Sequence, residues 1–309
     1  MRLRGERIEL SCADVGYPAA LARIADPPPR LYLVGDPDAL REGLAVVGAR
    51  KATPYGISCA QRFAGMAARR GVVIVSGGAR GCDAAAHEAA LAAGAPTVAF
   101  LGGGCDELYP AEHVGLFQHI VDAGGAIVSE RPWNCSPRPY MFRLRNRLIA
   151  GLARAVLIVE AGLPSGTFST ADEALAAGRD VLVVPGAITS ASSRGANRLL
   201  YQGALPIVDD DSFADALFSL FGCLKEPPSA LKDRRDTASS SQTVDGGGAL
   251  VAVLRAETKH PEDLYALACT LCGQEEPRAW LMQHLAEAEL AGSIVRYPDG
   301  RWGPGGLIL

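Results

Sequence analysis

Between Leu31 and about Phe221, short aliphatic and β-branched runs alternate with Ala-rich stretches whose apolar positions recur every three or four residues. The runs predict strands at Leu31 to Val34, Leu44 to Val47, Val72 to Val75, Thr97 to Leu101, Ala126 to Val128, Ala155 to Val159, Asp180 to Val184 and Pro206 to Val208. The stretches Pro54 to Arg70, Asp83 to Ala93, Ala111 to Ala123 and Thr170 to Ala177 predict crossover helices. Strands apolar on both faces, separated by helices, predict an α/β fold with a doubly wound parallel sheet.

The pattern breaks after Phe221. Residues 222–248 gather Pro227-Pro228, Ser239-Ser240-Ser241 and Gly246-Gly247-Gly248 around a charged stretch, a linker by composition. Beyond it, Ala249 to Arg255, Pro261 to Cys269 and Pro277 to Leu290 predict three helices, and Ile294 to Trp302 a hairpin turning at Pro298-Asp299-Gly300. Three helices and a hairpin suggest a winged helix. The expected organisation is a lead-in over 1–30, whose segment Tyr17 to Pro29 packs on the main domain, a main domain over 31–221, the linker, and a winged-helix-like domain over 249–309.

Composition narrows the function classes. Of 309 residues 49% are hydrophobic, and 30 Lys+Arg face 34 Asp+Glu for a net charge of −4, which excludes a disordered chain and a wholesale basic nucleic-acid binder. Any polyanion site must be a local patch. There is no run of about 18 apolar residues, and Met1-Arg2-Leu3-Arg4 leads into no apolar segment. The expected location is therefore the cytoplasm, without membrane attachment. Eight scattered cysteines read as reduced thiols, and the single C-x-x-C, Cys269 and Cys272, lacks the other half of a zinc site. Those two are read as small residues on a helix, and no metal or cofactor site is assigned.

Candidate chemistry gathers after the strands. Gly48, Gly77-Gly78 with Gly81, Gly102-Gly103-Gly104, Gly162 with Gly166, and Gly186 all follow predicted strands. In an open parallel sheet these are the ligand-binding ends, where Gly lets backbone N–H groups and helix N-termini approach an anion. Two of the loops add a cation, Arg50 and Arg80, able to fork onto phosphate oxygens. Arg80 could equally pair internally with Asp83, and His87 reads as packed or locally hydrogen-bonded.

Arg131 to Arg154 holds six arginines, and no acid occurs between Glu130 and Glu160. In a net acidic chain that is a local electropositive surface. Its centre, Tyr140-Met141-Phe142-Arg143-Leu144-Arg145-Asn146-Arg147, interleaves aromatic rings with guanidiniums, the combination that stacks unpaired bases while holding their backbone. A helix with solvated arginines is the plain alternative. Ser165, Gly166 and Thr167 follow a strand and open a helix, so their hydroxyls and amides can hold a further phosphate or sugar oxygen. No nucleophile, base and orienter fall together, and no P-loop lysine motif occurs.

Taken in order, V-V-G-A-R, S-G-G-A-R-G-C-D with His87, L-G-G-G-C-D-E-L-Y-P, I-V-S-E, R-N-R-L-I-A-G-L, L-I-V-E-A with S-G-T-F-S-T-A, and V-P-G followed by Gly195, Asn197 and Gly203-Ala204 resemble the DNA-processing protein A (DprA, or Smf) family over about Tyr17 to Phe221. The resemblance implies an extended Rossmann fold with a mostly parallel sheet and no catalytic residues. It implies a homodimer that binds single-stranded DNA without sequence choice, protects it, and helps load RecA during natural transformation. The single-stranded-DNA-binding protein is a further expected partner. The implied DNA-binding residues are Gly48, Arg50, Gly77, Gly78, Arg80, Phe142, Arg143, Arg145, Asn146, Arg147, Ser165, Gly166 and Thr167. Cys82 replaces the family's usual Ile, and Arg143 stands where Pro is common, adding a candidate phosphate contact. The family's frequent N-terminal domain resembling a sterile alpha motif is not recognised in the residues before Leu31.

Two alternatives use the same fold. One is a small-nucleotide sensor. The other is a nucleotide phosphoribohydrolase with a P-G-G-x-G-T-x-x-E loop, but Thr170 occupies the glutamate position here and Glu173 lies nearly a turn further on. For the C-terminal domain, residues 224–309 hold 9 basic and 12 acidic side chains, and the third helix opens with Glu275-Glu276-Pro277. Phosphate approach is opposed there, so this domain is expected to contact protein rather than DNA.

Overall fold

The computed structural model describes residues 2–223, 246–256, 259–272, 276–291, 293–296 and 301–304. The chain divides into two compact units, Met1–Lys225 and Glu226–Leu309.

The first unit is built on a nine-stranded mixed sheet. In chain order its elements are β1 (Arg7–Ser11), α1 (Ala19–Ala22), β2 (Arg30–Gly35), β3 (Gly43–Val47), α2 (Pro54–Arg69), β4 (Ile74–Ser76), α3 (Cys82–Ala92), β5 (Thr97–Phe100), α4 (Val114–Asp122), β6 (Ala126–Ser129), α5 (Pro139–Leu152), β7 (Ala153–Ile158), α6 (Thr167–Ala176), β8 (Asp180–Val183), α7 (Arg194–Tyr201), β9 (Leu205–Pro206) and α8 (Asp210–Phe221). Across the sheet the strands run β1-β2-β6-β5-β4-β3-β7-β8-β9. From β6 to β9 every pairing is parallel, whereas β1 with β2 and β2 with β6 are antiparallel. The chain winds outward from β3 to β6, then returns through α5 to lay β7 on the other side of β3. That reversal is the topological switch point, where strand ends splay and a crevice opens.

Alternation explains the burial. In β3, Ala45 and Val47 join Val156, Ile158, Leu148 and Ile149 in one core, while Leu44 and Val46 join Ile74, Leu157, Phe63 and Phe213 in the other. Strands two-faced in this way cannot lie at a solvent surface. Helix starts follow local chemistry: Thr53 caps α2 by accepting the Gly56 N–H at 3.2 Å, with Pro54 at the first helical position. Asp209 and Ser212 form a capping box on α8.

Strand β1 is not among the predicted elements, although Arg7 to Ser11 alternates. It is pinned by two parallel Arg7–Asp106 hydrogen bonds of 2.9 and 3.0 Å, by Arg7 lying 3.9 Å over the Trp133 ring, and by Arg30 donating to Glu9 at 2.7 Å. Downstream, Tyr17, Leu21 and Ile24 are buried in the first core.

The second unit contains α9 (Gly246–Ala256), α10 (Pro261–Leu271) and α11 (Pro277–Leu290), with β10 (Ile294–Arg296) antiparallel to β11 (Trp302–Pro304). Leu250, Leu254, Leu264, Trp280, Leu285 and Ile294 form its core. Gly246-Gly247-Gly248, expected in the linker, begin α9 instead, because the helix that buries Leu250 and Leu254 extends back through them. The rest of the expected linker, 224–245, and the hairpin turn at 297–300 lie outside the described residues.

A basic cleft at the switch point of the sheet

A cleft of about 480 Å³ opens between the loop after β3 and the loop after β7. Nine of the thirteen predicted site residues line it: Gly48, Arg50, Phe142, Arg143, Arg145, Asn146, Ser165, Gly166 and Thr167. One wall is the β3–α2 loop, carrying exposed Arg50. The second is α5, where Pro139, Phe142, Arg143, Asn146 and Ile149 form a helical stripe at spacings of three and four. The third is the N-terminus of α6, where Ser165 Oγ accepts the Thr167 N–H at 3.2 Å and donates to Thr167 Oγ1 at 2.9 Å. A Cβ at Gly166 would meet open space, so this entry to the helix is not covered by a neighbouring side chain. Val47, Ala49 and Ile149 make an apolar floor.

Two nearby helix starts already hold an internal anion. Buried Glu160, just past β7, accepts the Thr53 N–H at 2.8 Å and the Thr53 hydroxyl at 3.0 Å, so its carboxylate occupies the N-terminal field of α2. Gly56 is part of that fit, since a Cβ there would overlap the carboxylate. Asp83, in the first turn of α3, accepts the Gly77 and Ala79 N–H groups at 3.2 and 3.4 Å. Burial pushes the Asp83 carboxyl up, opposed by Arg145 and by those two N–H bonds. Among the described residues no such carboxylate is held at the start of α6, which faces the cleft. Among the described residues Asp83 is the one carboxylate lining it, and Thr170, 3% exposed, lines it as well.

The structure redistributes several predicted contacts. Arg145 is buried, and its Nη1 donates to the Gly77 carbonyl at 2.7 Å and to the Phe100 carbonyl. Burial pulls its pKa down to about 10 while Asp83 opposes the shift. It therefore braces the loop after β4. Gly77 is required by the same contact, because a Cβ would strike the guanidinium. Arg147 leaves the cleft, donating to Glu130 at 2.6 Å and to Asp26 at 3.1 Å. Gly78 has φ +64° and a Cβ there would sit 2.5 Å from the Phe117 ring, so it serves a tight turn over a packed phenyl rather than an exposed amide. Arg80 pairs with Glu112 rather than Asp83, and with Gly77 lines a shallow recess beside the cleft.

The glycine edge narrows too. Gly103 and Gly104 are covered by the 132–137 segment, whose backbone leaves no room for a Cβ, and Gly186 packs on Ser193. Of the six arginines between 131 and 154, exposed Arg143 and buried Arg145 reach the cleft. Arg131 and Arg147 are taken by Glu130. His87 is packed, its Nδ1 2.8 Å from Thr97 Oγ1. Cys82 lies under Gly48, and burial pushes its thiol up to about 12. Sequence reasoning missed Glu160, whose signal is an acid directly after an apolar strand, and Tyr109, which lines the recess beside Arg50 and Phe142.

An open α/β sheet with a cationic, glycine-walled cleft at its switch point defines a Rossmann-like protein. The chain belongs to the DNA recombination-mediator protein A family, whose model matches residues 9–218. It is 37% identical over 288 residues to protein Smf of Escherichia coli K12, covering 92% of this chain and 74% of that protein. It is 46% identical over 171 residues to a Mycobacterium tuberculosis DprA, of which it spans 44%. The structure aligns with TM-score 0.64 and 33% identity to DNA processing protein A of Helicobacter pylori, described for its single-stranded DNA binding mode, covering 71% of this chain and 99% of that one. The phosphoribohydrolase alternative loses its carboxylate, since Glu173 does not line the cleft.

Proposed function

We propose that this cleft binds single-stranded DNA without sequence choice, and that the protein acts as a recombination mediator which protects the strand and helps load RecA. The observation that carries the DNA reading is the convergence of two exposed guanidiniums, Arg50 and Arg143, with Phe142 and the open N-terminus of α6 on one cleft. The cations and amides suit a phosphate backbone, and the ring and apolar floor suit unpaired bases; neither selects a base. Membership of a recombination-mediator family and the likeness to the H. pylori protein support the same reading. The reading assigns no catalytic step; among the described residues the one carboxylate that lines the cleft, Asp83, serves the Gly77 and Ala79 N–H groups.

The protein would work as a homodimer, with the C-terminal unit read as a winged helix that contacts protein. RecA loading and the dimer rest on family membership. The test is binding of labelled oligo-dT and of duplex of equal length at two salt concentrations, with a mononucleotide as competitor. Preference for oligo-dT, weakened by salt, supports the proposal. Preference for duplex contradicts it, and tight mononucleotide binding without DNA affinity would make the protein a nucleotide sensor.

A further inference from the structure

Beside the cleft lies a shallow recess that shares Arg50, Phe142 and Arg145 with it and adds Arg80, Tyr109 and Pro110. Its volume is about 20 Å³, room for about one water. No ring can enter it, but one can lie across it. Tyr109 is 43% exposed on the loop after β5, and its ring centroid is 5.3 Å from that of Phe142, with the planes tilted by 54°. The Arg50 guanidinium lies 5.3 Å from the Phe142 centroid, so the recess continues the cleft wall without a break. At the outer edge Arg80 is exposed and paired with Glu112, which raises the Arg80 pKa and lowers that of Glu112.

The core under the loop is closed by Phe117, Leu101 and Cys105, and the Tyr109 ring lies outside that cluster, against Phe142. A π-face half open to solvent, flanked by guanidiniums and continuous with a phosphate-binding cleft, matches a single strand's alternation of base and phosphate. We propose that Tyr109 is a stacking platform for a nucleobase of the strand held in the cleft, and that Arg80 takes the adjoining phosphate by exchanging its partner Glu112. The strand therefore leaves the cleft over Phe142 toward Tyr109. Glu112 stands in for phosphate in the free protein and competes with it. This inference rests on the single-strand reading above.

The test uses the full chain and oligo-dT in fluorescence anisotropy. Tyr109→Ala and Tyr109→Leu should both weaken binding by about five- to a hundredfold, the range for loss of one base stack, while Tyr109→Phe stays within about twofold. Glu112→Gln should tighten binding severalfold by freeing Arg80. Leu binding as well as Tyr would show that bulk rather than a π-face is needed, and would overturn the platform. Unchanged binding by Tyr109→Ala would do the same, and unchanged or weaker binding by Glu112→Gln would overturn the exchange. Failure of the wild type to bind oligo-dT would instead overturn the reading beneath both.

Discussion

Charge alone does not decide what an arginine does here; its partners do. Arg145→Ala strips two carbonyls of their donor and leaves Asp83 without the cation that most favours its charged form, so it should lower stability by about 3 kcal/mol, visible as a fall in Tm. Arg147→Ala breaks ion pairs outside the cleft and should leave oligo-dT affinity and its salt slope unchanged. A weakened, flatter salt response from Arg147→Ala would put that residue back in the site. His87 gives a pH signature. Thr97 Oγ1 donates to the Ile74 carbonyl, so it accepts from His87 Nδ1–H, leaving Nε2 buried without a partner. Burial, with His113 and Arg145 nearby, pulls the His87 pKa down to about 3. A depressed folded pKa means that the unfolded chain binds the extra proton, so its contribution is present above about pH 6.5 and is lost as pH falls below that. Between pH 7.5 and 5.5 the loss is about 1.4 kcal/mol. Urea unfolding of wild type and His87→Gln at both values checks this: the wild type should lose that much more than the variant, and equal losses would refute it.

Elements set the site by how they are tied together. Glu160 links the end of β7 to the start of α2 through Thr53, three residues beyond Arg50, so it fixes one cleft wall against another. Glu160→Ala orphans the Thr53 N–H and should cost about 1–3 kcal/mol, with faster amide exchange through residues 48–53 and weaker oligo-dT binding. Glu160→Gln keeps one acceptor and should recover most of both. An Ala variant with native stability and exchange would show that the link is idle. The predicted strands from β3 to β8 and the helices α2, α3, α4 and α6 were legible because each apolar run is buried on both faces and each helix keeps its three-and-four spacing, whereas α5, α7 and α8 were not among the predicted helices. Strand β1 was not, since five residues with charges at Arg7 and Glu9 become a strand by pairing with β2, with Arg7 held by Asp106 and Trp133 and Glu9 by the Trp133 ring N–H. The cleft was legible as a basic, glycine-rich edge. Which arginines face it was not, because that depends on the rotation of α5, set by burial of Met141, Leu148 and Ile149.

At the scale of the whole molecule the two units carry different charge. Residues 224–309 are net acidic, and Glu276 caps α11 by accepting the Ala279 N–H at 2.7 Å, so a carboxylate already sits where a recognition helix would meet phosphate. A chain ending near Gly222 should keep its oligo-dT affinity within a few-fold. A loss of more than about tenfold, roughly 1.4 kcal/mol, with the oligomer intact by light scattering, would make the second unit a DNA-binding element. The claim on which everything else depends is that the strand's phosphates sit in the cleft between the β3–α2 and β7–α6 loops. The salt dependence of oligo-dT binding by wild type and by the double variant Arg50→Ala, Arg143→Ala tests it most directly. Losing two phosphate contacts should weaken binding and lower the slope of log K against log salt by about 1.4, at about 0.7 per contact for a single strand. A double variant with the affinity and slope of the wild type would place the DNA elsewhere on the molecule.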